Sequence, residues 1–458
     1  MTEPGTPRRM GAVLAPLALA QFVCSFAGSN MNVMINDISN DLDTTPRGVQ
    51  ITITTFLLVM AALMIPAGRM TDRFGRKRCF VAGLTVYGAG AALSAVAPGL
   101  GVLVIGNSIL QGIGTSLLIP PVYILATMLF PGLTTRARAF GTIMAMGGIG
   151  AAAGPLIGGL ITSLLSWRAA FAFQVLVIVI IVLLSRSIRD PLPPDPTRRL
   201  DTGGAVLSAT GLVLLVSGIL FAGKNISLML GLLVLGSAAL VWFFLSVRNK
   251  EKSGREPLIP TSLFRNRTSN LGLVTQNTQW ILLMGTAFVV ATYFQVARGY
   301  DAVQTGAIFT AATTGLLVSS LAAERLARRR TQRTLITTGF ATTITGIAVL
   351  IGMTRAFTSP WASAAGLLLI GLGLGVMLTP SVNIVQSSFP EHLQSAISGV
   401  SRSVSNLGSA LGTAIAGTVL LADPEGHGYA IAMIMLAFMG TIGLLAAVFL
   451  PHGRKPSN

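Results

Sequence analysis

The sequence predicts an all-α membrane protein of about fourteen transmembrane helices, arranged as two six-helix bundles with two helices inserted between them. Three observations carry that expectation. The 458 residues are 52% hydrophobic and only 10% charged, against roughly 25% charged in a soluble globular domain. The apolar residues fall in runs of about 18 to 28, long enough to cross a hydrocarbon layer of ~30 Å at 1.5 Å per residue. Features of the first half also recur in the second at offsets of 252 to 259 residues, as two related bundles require.

The runs and their breakers place spans near 11–35, 48–67, 79–97, 101–129, 139–166 and 168–186, then 203–222 and 227–246, then 269–296, 303–323, 333–353, 361–387, 395–421 and 428–450. The first run has no small-residue cleavage site before the next span, so it is expected to stay as span one rather than leave as a signal peptide. Two longer polar connections, "SRSIRDPLPPDPTRRLDTGG" and "VRNKEKSGREPLIPTSLFRNRT", set spans seven and eight apart. The expected organisation is one bundle in 1–188, linkers and inserted helices in 189–266, and a second bundle in 267–458.

The net charge of +17 would suit nucleic acid if it gathered on one face. It does not. With the N-terminus in the cytoplasm, the even-numbered connections and both tails hold 26 of the 32 Lys and Arg; the others are Arg47, Arg168, Lys224, Arg298, Arg355 and Arg402. That bias predicts a multi-pass protein of a bacterial plasma or inner membrane with both termini cytoplasmic. Cys24 and Cys79, the two cysteines, offer neither a disulfide framework nor metal-ligand spacing and read as packing residues. No G-x-x-x-x-G-K-[ST] phosphate loop occurs and no soluble domain could hold one. The chain is therefore expected to be no enzyme and no ATP-driven pump, with no cofactor, metal or catalytic group. No ring of charge or carbonyl-rich filter loop repeats as a channel would require.

One stretch concentrates charge: "GRMTDRFGRKR", residues 68–78, has six charged side chains in eleven positions. On charge alone it is a cytoplasmic anchor that sets topology. Its lower-half counterpart is "ERLARRR", where Glu324 falls on Asp72 at an offset of 252. "GIGTSLLIPP" from Gly112 matches "GLGLGVMLTP" from Gly371 at 259, and at 258 four glycines of span five, Gly141, Gly150, Gly154 and Gly159, fall on Gly399, Gly408, Gly412 and Gly417 of span thirteen.

With these pieces the chain resembles the major facilitator superfamily and, within it, the fourteen-span drug:proton antiporter-like branch. Gly68, Asp72, Arg73, Gly75, Arg76, Lys77 and Arg78 match the signature loop between spans two and three at every defined position. Gly141, Gly150, Gly154-Pro155 and Gly158-Gly159 match the antiporter signature of span five. Physically, Gly68 and Gly75 are expected to let the chain turn at helix ends, and Asp72 to face a helix N-terminus or an Arg. The resemblance implies that this contact, with Glu324 and Arg325 in the repeat, latches the two halves on the cytoplasmic side. The span-five glycines are expected to form a flat face for close helix approach, with Pro155 as a kink.

The resemblance also implies proton antiport through an Asp in span one and an Arg in span four. Here those positions hold Ala27 and Ser108. None of the fifteen carboxylates falls deep in an expected span: Asp37, Asp41 and Asp43 follow span one, and Glu324 sits in the repeated loop. Arg402 is the one charge well inside a span, where it either faces the interior or snorkels to an interface. Around it the inner faces offer Gln21, Asn30 and Asn32 of span one, Gln111 and Tyr123 of span four, Gln276, Gln279 and Trp280 of span nine, and Asn383 and Gln386 of span twelve. About half are expected to line a path and the rest to be interhelical hydrogen bonds.

The function expected is a secondary exporter of amphipathic or lipophilic compounds by alternating access, with proton coupling in question. The alternatives are a flippase for a lipid or lipid precursor, an uncoupled facilitator, and a sensor or scaffold built on a transporter fold. The expected partners are the bilayer and a small-molecule or lipid-like substrate, with no nucleic acid, for a monomer.

Overall fold

The computed structural model describes residues 7–130, 133–188, 190, 201–222, 225–327, 329–357, 359–390, 393–423 and 427–451, leaving aside the side chains at 7–10, 133–134, 137, 152, 324 and 395. Among them the regular structure is helical. The first bundle holds α1 (Gly11–Asp41), α2 (Pro46–Phe74), α3 (Arg76–Ala95) and α4 (Leu100–Leu129), then α5 (Leu133–Leu164) and α6 (Trp167–Ser185). The inserted pair is α7 (Thr202–Leu220) and α8 (Ile226–Lys252). The second bundle holds α9 (Arg267–Ala297), α10 (Ala302–Ala327), α11 (Gln332–Ala356) and α12 (Pro360–Gln386), then α13 (Gln394–Ala422) and α14 (Gly428–Val448). Thirteen are long and apolar enough to cross a membrane; the fourteenth, α5, is a pair of segments bent by 42°. Pro155 sits at that bend, where its ring removes a helix hydrogen bond and crowds the carbonyl of residue 151.

The short polar connections start the helices. Thr45, Ser166, Asn225, Asn266 and Thr331 each cap the helix that follows by accepting from a backbone N–H three residues on, which satisfies donors the first helical turn leaves open. Gly75, at φ 98°, ends α2 in a conformation that a Cβ would strain. Two helices loosen to π-helical turns, α4 at Val104–Gln111 and α9 at Tyr293–Ala297.

Helices of one bundle cross chiefly at glycines, and the bundles meet on two seams: α2 lies along α13, and α5 along α10. α7 packs on α2 and α13, and α8 packs on α7, so the inserted pair rides outside the seam. One end gathers the basic connections. There Arg69 donates to the carbonyls of Pro257 and Leu258, Lys77 N–H to Asp190, Ser187 to Ala12 O, and Asn266 to Ser388 O. At the opposite end Arg47, Arg168 and Arg298 donate to the carbonyls of Leu220, Ala97 and Thr354, close to helix C-termini, where the dipole favours a cation.

Two boundaries that differ from expectation bear on the site. α1 runs on through a tight 3-10 turn at Met31–Met34 to Asp41, which places Asp37 in the helix rather than after it. α2 runs on to Phe74, so Gly68 is a helical residue and not a turn, and a Cβ there would meet nothing within 4 Å.

Candidate functional site

The signature loop is built at the basic end. Asp72, in the last turn of α2, lies 3.5 Å from the guanidinium of Arg76, the first residue of α3. Asp190, arriving from α6, accepts the Lys77 N–H at 3.1 Å and so supplies an acidic cap to α3. Arg73 lies over the Phe74 ring, and Arg325 is exposed. The Glu324 side chain lies outside the described residues.

The glycines of α5 divide their contacts. A Cβ on Gly150 would lie 2.3 Å from Phe22 O; on Gly154, against Ser29 and Phe26 O; on Gly158, 2.9 Å from the Asn30 Cβ, all on α1 of the same bundle. Only Gly159 of this set crosses the seam, at 2.4 Å from Ala302 O on α10. Gly141 would meet nothing, which corrects its expected place on the packing face. The repeat on α13 behaves alike: Gly408 and Gly412 abut the backbone of Asn277 and Ile281 on α9, and Gly417 abuts Gln50 on α2.

Between these seams three of the expected path residues come together. Arg402 of α13 donates to the Tyr123 hydroxyl of α4 and sits 4.8 Å from its ring centre. Tyr123 in turn donates to Gln21 Oε1 of α1 at 3.0 Å, and Phe140 lies 5.9 Å from its ring. From Gln21 a polar stripe runs up one face of α1: Gln21 Nε2 donates to Ser25 at 3.2 Å, and Ser29 to Ser25 O. Ser29 and Asn32 then line a chamber, with Thr286 and Thr313, whose other walls are apolar, among them Leu283, Met284, Phe309, Leu316 and Ile370, with Ala151 and Pro155 of α5.

The other expected residues lie elsewhere. Gln276 is held by Ser401 and Ser405 of α13 inside the second bundle, and Gln279 donates to Leu374 O of α12. Gln111 is fully buried in the π-helical turn of α4, with both amide atoms unpartnered. Asn30 is buried under Gly158. Trp280 is half-buried, Asn383 is exposed, and Gln386 is within 3.4 Å of Ser398. Ala27 is buried, and Ser108 donates to Thr52 O of α2 at 2.7 Å.

Sequence reading missed the residues that close the end opposite the basic loops. Gln50 of α2 donates to Thr413 O and Ala414 O of α13 at 2.9 and 3.1 Å. Gln295 of α9 donates to Asn32 O and accepts from Asn36 N–H. A lone Gln inside an apolar run was the only signal for either.

The profile described as Major Facilitator Superfamily matches residues 17–413. The chain belongs to the major facilitator superfamily. It is 31% identical to the puromycin resistance protein of Streptomyces alboniger, across 96% of this chain and 90% of that one. It is 27% identical to the probable actinorhodin transporter of Streptomyces coelicolor, across 91% and 74%. Drug efflux pump JefA of Mycobacterium tuberculosis is 26% identical, across 91% and 81%. Among solved structures, the peptide transporter POT in complex with sulfate superposes with a TM-score of 0.72 at 15% identity, over 95% of this chain and 94% of that one, a likeness of fold. The chain is a multi-pass membrane protein.

Proposed function

We propose that the chain is a secondary exporter of amphipathic or lipophilic small molecules, working by alternating access between the bundles of 1–188 and 267–458. One observation carries the reading. A chamber and a polar stripe lie on the seam, enclosed by side chains that donate to backbone carbonyls and by glycine crossings. Such contacts can break and re-form without unfolding either bundle. The relatives named for drug efflux and antibiotic resistance support export and this substrate class; they do not favour a lipid flippase, an uncoupled facilitator or a sensor.

On this reading the basic end is cytoplasmic, the Asp72 loop with Glu324 and Arg325 is its latch, and Gly150 to Gly159 hold α5 in place. Coupling departs from the family pattern, because Ala27 and Ser108 cannot exchange protons. Flux of a fluorescent lipophilic compound in proteoliposomes, at zero potential and with and without an imposed ΔpH, tests both points. Flux separates a transporter from a sensor that binds without moving its ligand. Uphill movement driven by ΔpH alone would assign proton carriage to Asp37 or Glu324.

A further inference from the structure

Resting on the exporter reading, we infer that the substrates are largely apolar acids, bound with the acidic group on Arg402 and the body in the chamber, and expelled by the membrane potential. Arg402 is a permanent cation placed on the seam, half-buried against Tyr123. Among the described residues no carboxylate pairs with it. A cation in a membrane interior calls for a counter-ion, and here the Tyr123 hydroxyl occupies the place that an anionic oxygen would take. A carboxylate or phenolate would displace it and gain a fork of N–H donors.

The rest of the site is shaped for the body of such a molecule. The stripe of Gln21, Ser25, Ser29 and Asn32 leads from Tyr123 to the chamber. On α5, Gly147 lies over Gln21, while Ala151 and Pro155 line the chamber, so the two parts are one to two helical turns apart, roughly 6–12 Å. Two polar atoms that line the chamber have no partner, Asn32 Oδ1 and the Thr286 hydroxyl, in residues 4% and 3% exposed. They fit an apolar body carrying one hydrogen-bonding group. An acid that leaves as its anion moves one negative charge outward, which an interior-negative potential favours by about 50-fold per 100 mV, ~2.3 kcal/mol. Export uphill then needs no proton-binding residue, consistent with Ala27 and Ser108.

The test uses proteoliposomes with dansylglycine, an acid, and dansylglycinamide, its neutral counterpart, under a potassium–valinomycin potential, with protein-free liposomes subtracted. The acid should accumulate toward ~50-fold at 100 mV, while the amide only equilibrates. Arg402→Ala should lose at least tenfold in transport of the acid relative to that of the amide, and an unchanged melting temperature of the purified variant checks that it folds. Arg402→Lys should be intermediate, and Tyr123→Phe should lower the apparent KM for the acid by removing its competitor. If Arg402→Ala moves the acid as the wild type does, or the potential leaves its accumulation unchanged, the inference falls while the exporter reading stands. Movement of neither compound overturns both.

Discussion

α5 and α13 occupy equivalent places in the two bundles, and the difference between them locates the chemistry. Each sets glycines on the first helix of its own bundle, Gly150, Gly154 and Gly158 of α5 on α1 and Gly408 and Gly412 of α13 on α9, and each presses one across the seam, Gly159 and Gly417. At the shared offset of 258, however, Met144 of α5 stands where α13 has Arg402, and both approach the Tyr123 hydroxyl, Met144 with its sulfur at 3.8 Å. Gly147 stands where α13 has Ser405. Ser405 engages Gln276, whereas Gly147 leaves Gln21 free to bond Tyr123. Pro155 stands where α13 has Thr413, and both carbonyls face the opposite bundle, toward Gly306 and Gln50. The repeat preserves the scaffold; the departures from it make the site asymmetric.

The most damaging way to test the shared scaffold is at the seam. A Val at Gly159 would drive its Cβ into the Ala302 carbonyl, which cannot move without α10. Gly159→Val should therefore cut flux by at least ~10-fold, about 1.4 kcal/mol, with normal expression. Gly417→Val meets the side chains of Gln50 and Phe288, which can shift, and should be milder. Gly141→Val should be silent. Equal effects at all three would mean that the glycines act by helix propensity and not by contact.

How much of this was legible follows from what each contact depends on. The bundles, the inserted pair and the repeat were legible, because span length and glycine spacing are local properties of the chain. For Asp72 the sequence left a helix N-terminus or an Arg as partner; it lies 3.5 Å from Arg76, across the break at Gly75. The fates of Gln21 and Gln276 were not legible, since they turn on Gly147 and Ser405, each over a hundred residues away and on another helix. Gln50 and Gln295 were missed because their partners are carbonyls, which carry no residue identity. Gly68 and Gly141 were over-read because a motif position need not be a close contact.

The second test compares the two copies of the charged loop. Asp72 is nearly buried, against Arg76 and beside the Asp190-capped start of α3, while Arg325 is exposed. Asp72→Asn should lower flux by roughly 10-fold, and Glu324→Gln should cost much less, with insertion intact in both because the basic residues remain. Equal, mild losses would reduce the loop to a topology anchor.

A smaller effect is expected at the opposite end. Gln50→Ala removes two buried donations to α13, each worth about 0.6 kcal/mol between membrane helices, so the balance between closed and open should shift by only ~5–10-fold. Cysteine accessibility at that end, measured with a membrane-impermeant reagent on a single-Cys variant in the α1–α2 loop, should rise. No change would show that Gln295 and the Gly159 crossing suffice to hold that end shut.

The smallest effect belongs to the inserted pair, which has no counterpart in the repeat. Asp201 caps α7 through the Gly204 N–H, pairs with Lys250 of α8 and accepts from Leu258 N–H, so it ties α7, α8 and the following linker together. Burial pushes its carboxyl up, but the bonds from Lys250, Gly204 and Leu258 outweigh burial, and the net shift is downward. A carboxylate held below its unfolded value of ~3.9 contributes fully above that pH and loses its contribution as pH falls through the folded value. Asn at this position still caps a helix, so Asp201→Asn should lower Tm by only about 1–2 °C, equally at pH 8 and pH 5, with the difference from wild type closing below about pH 4. Flux should be unchanged, because the pair rides outside the seam between α5 and α10. A Tm difference that closes between pH 8 and pH 6 would mean that another group sets the stability of this end, and lost flux would mean that the inserted helices take part in the bundle motion through α2 and α13.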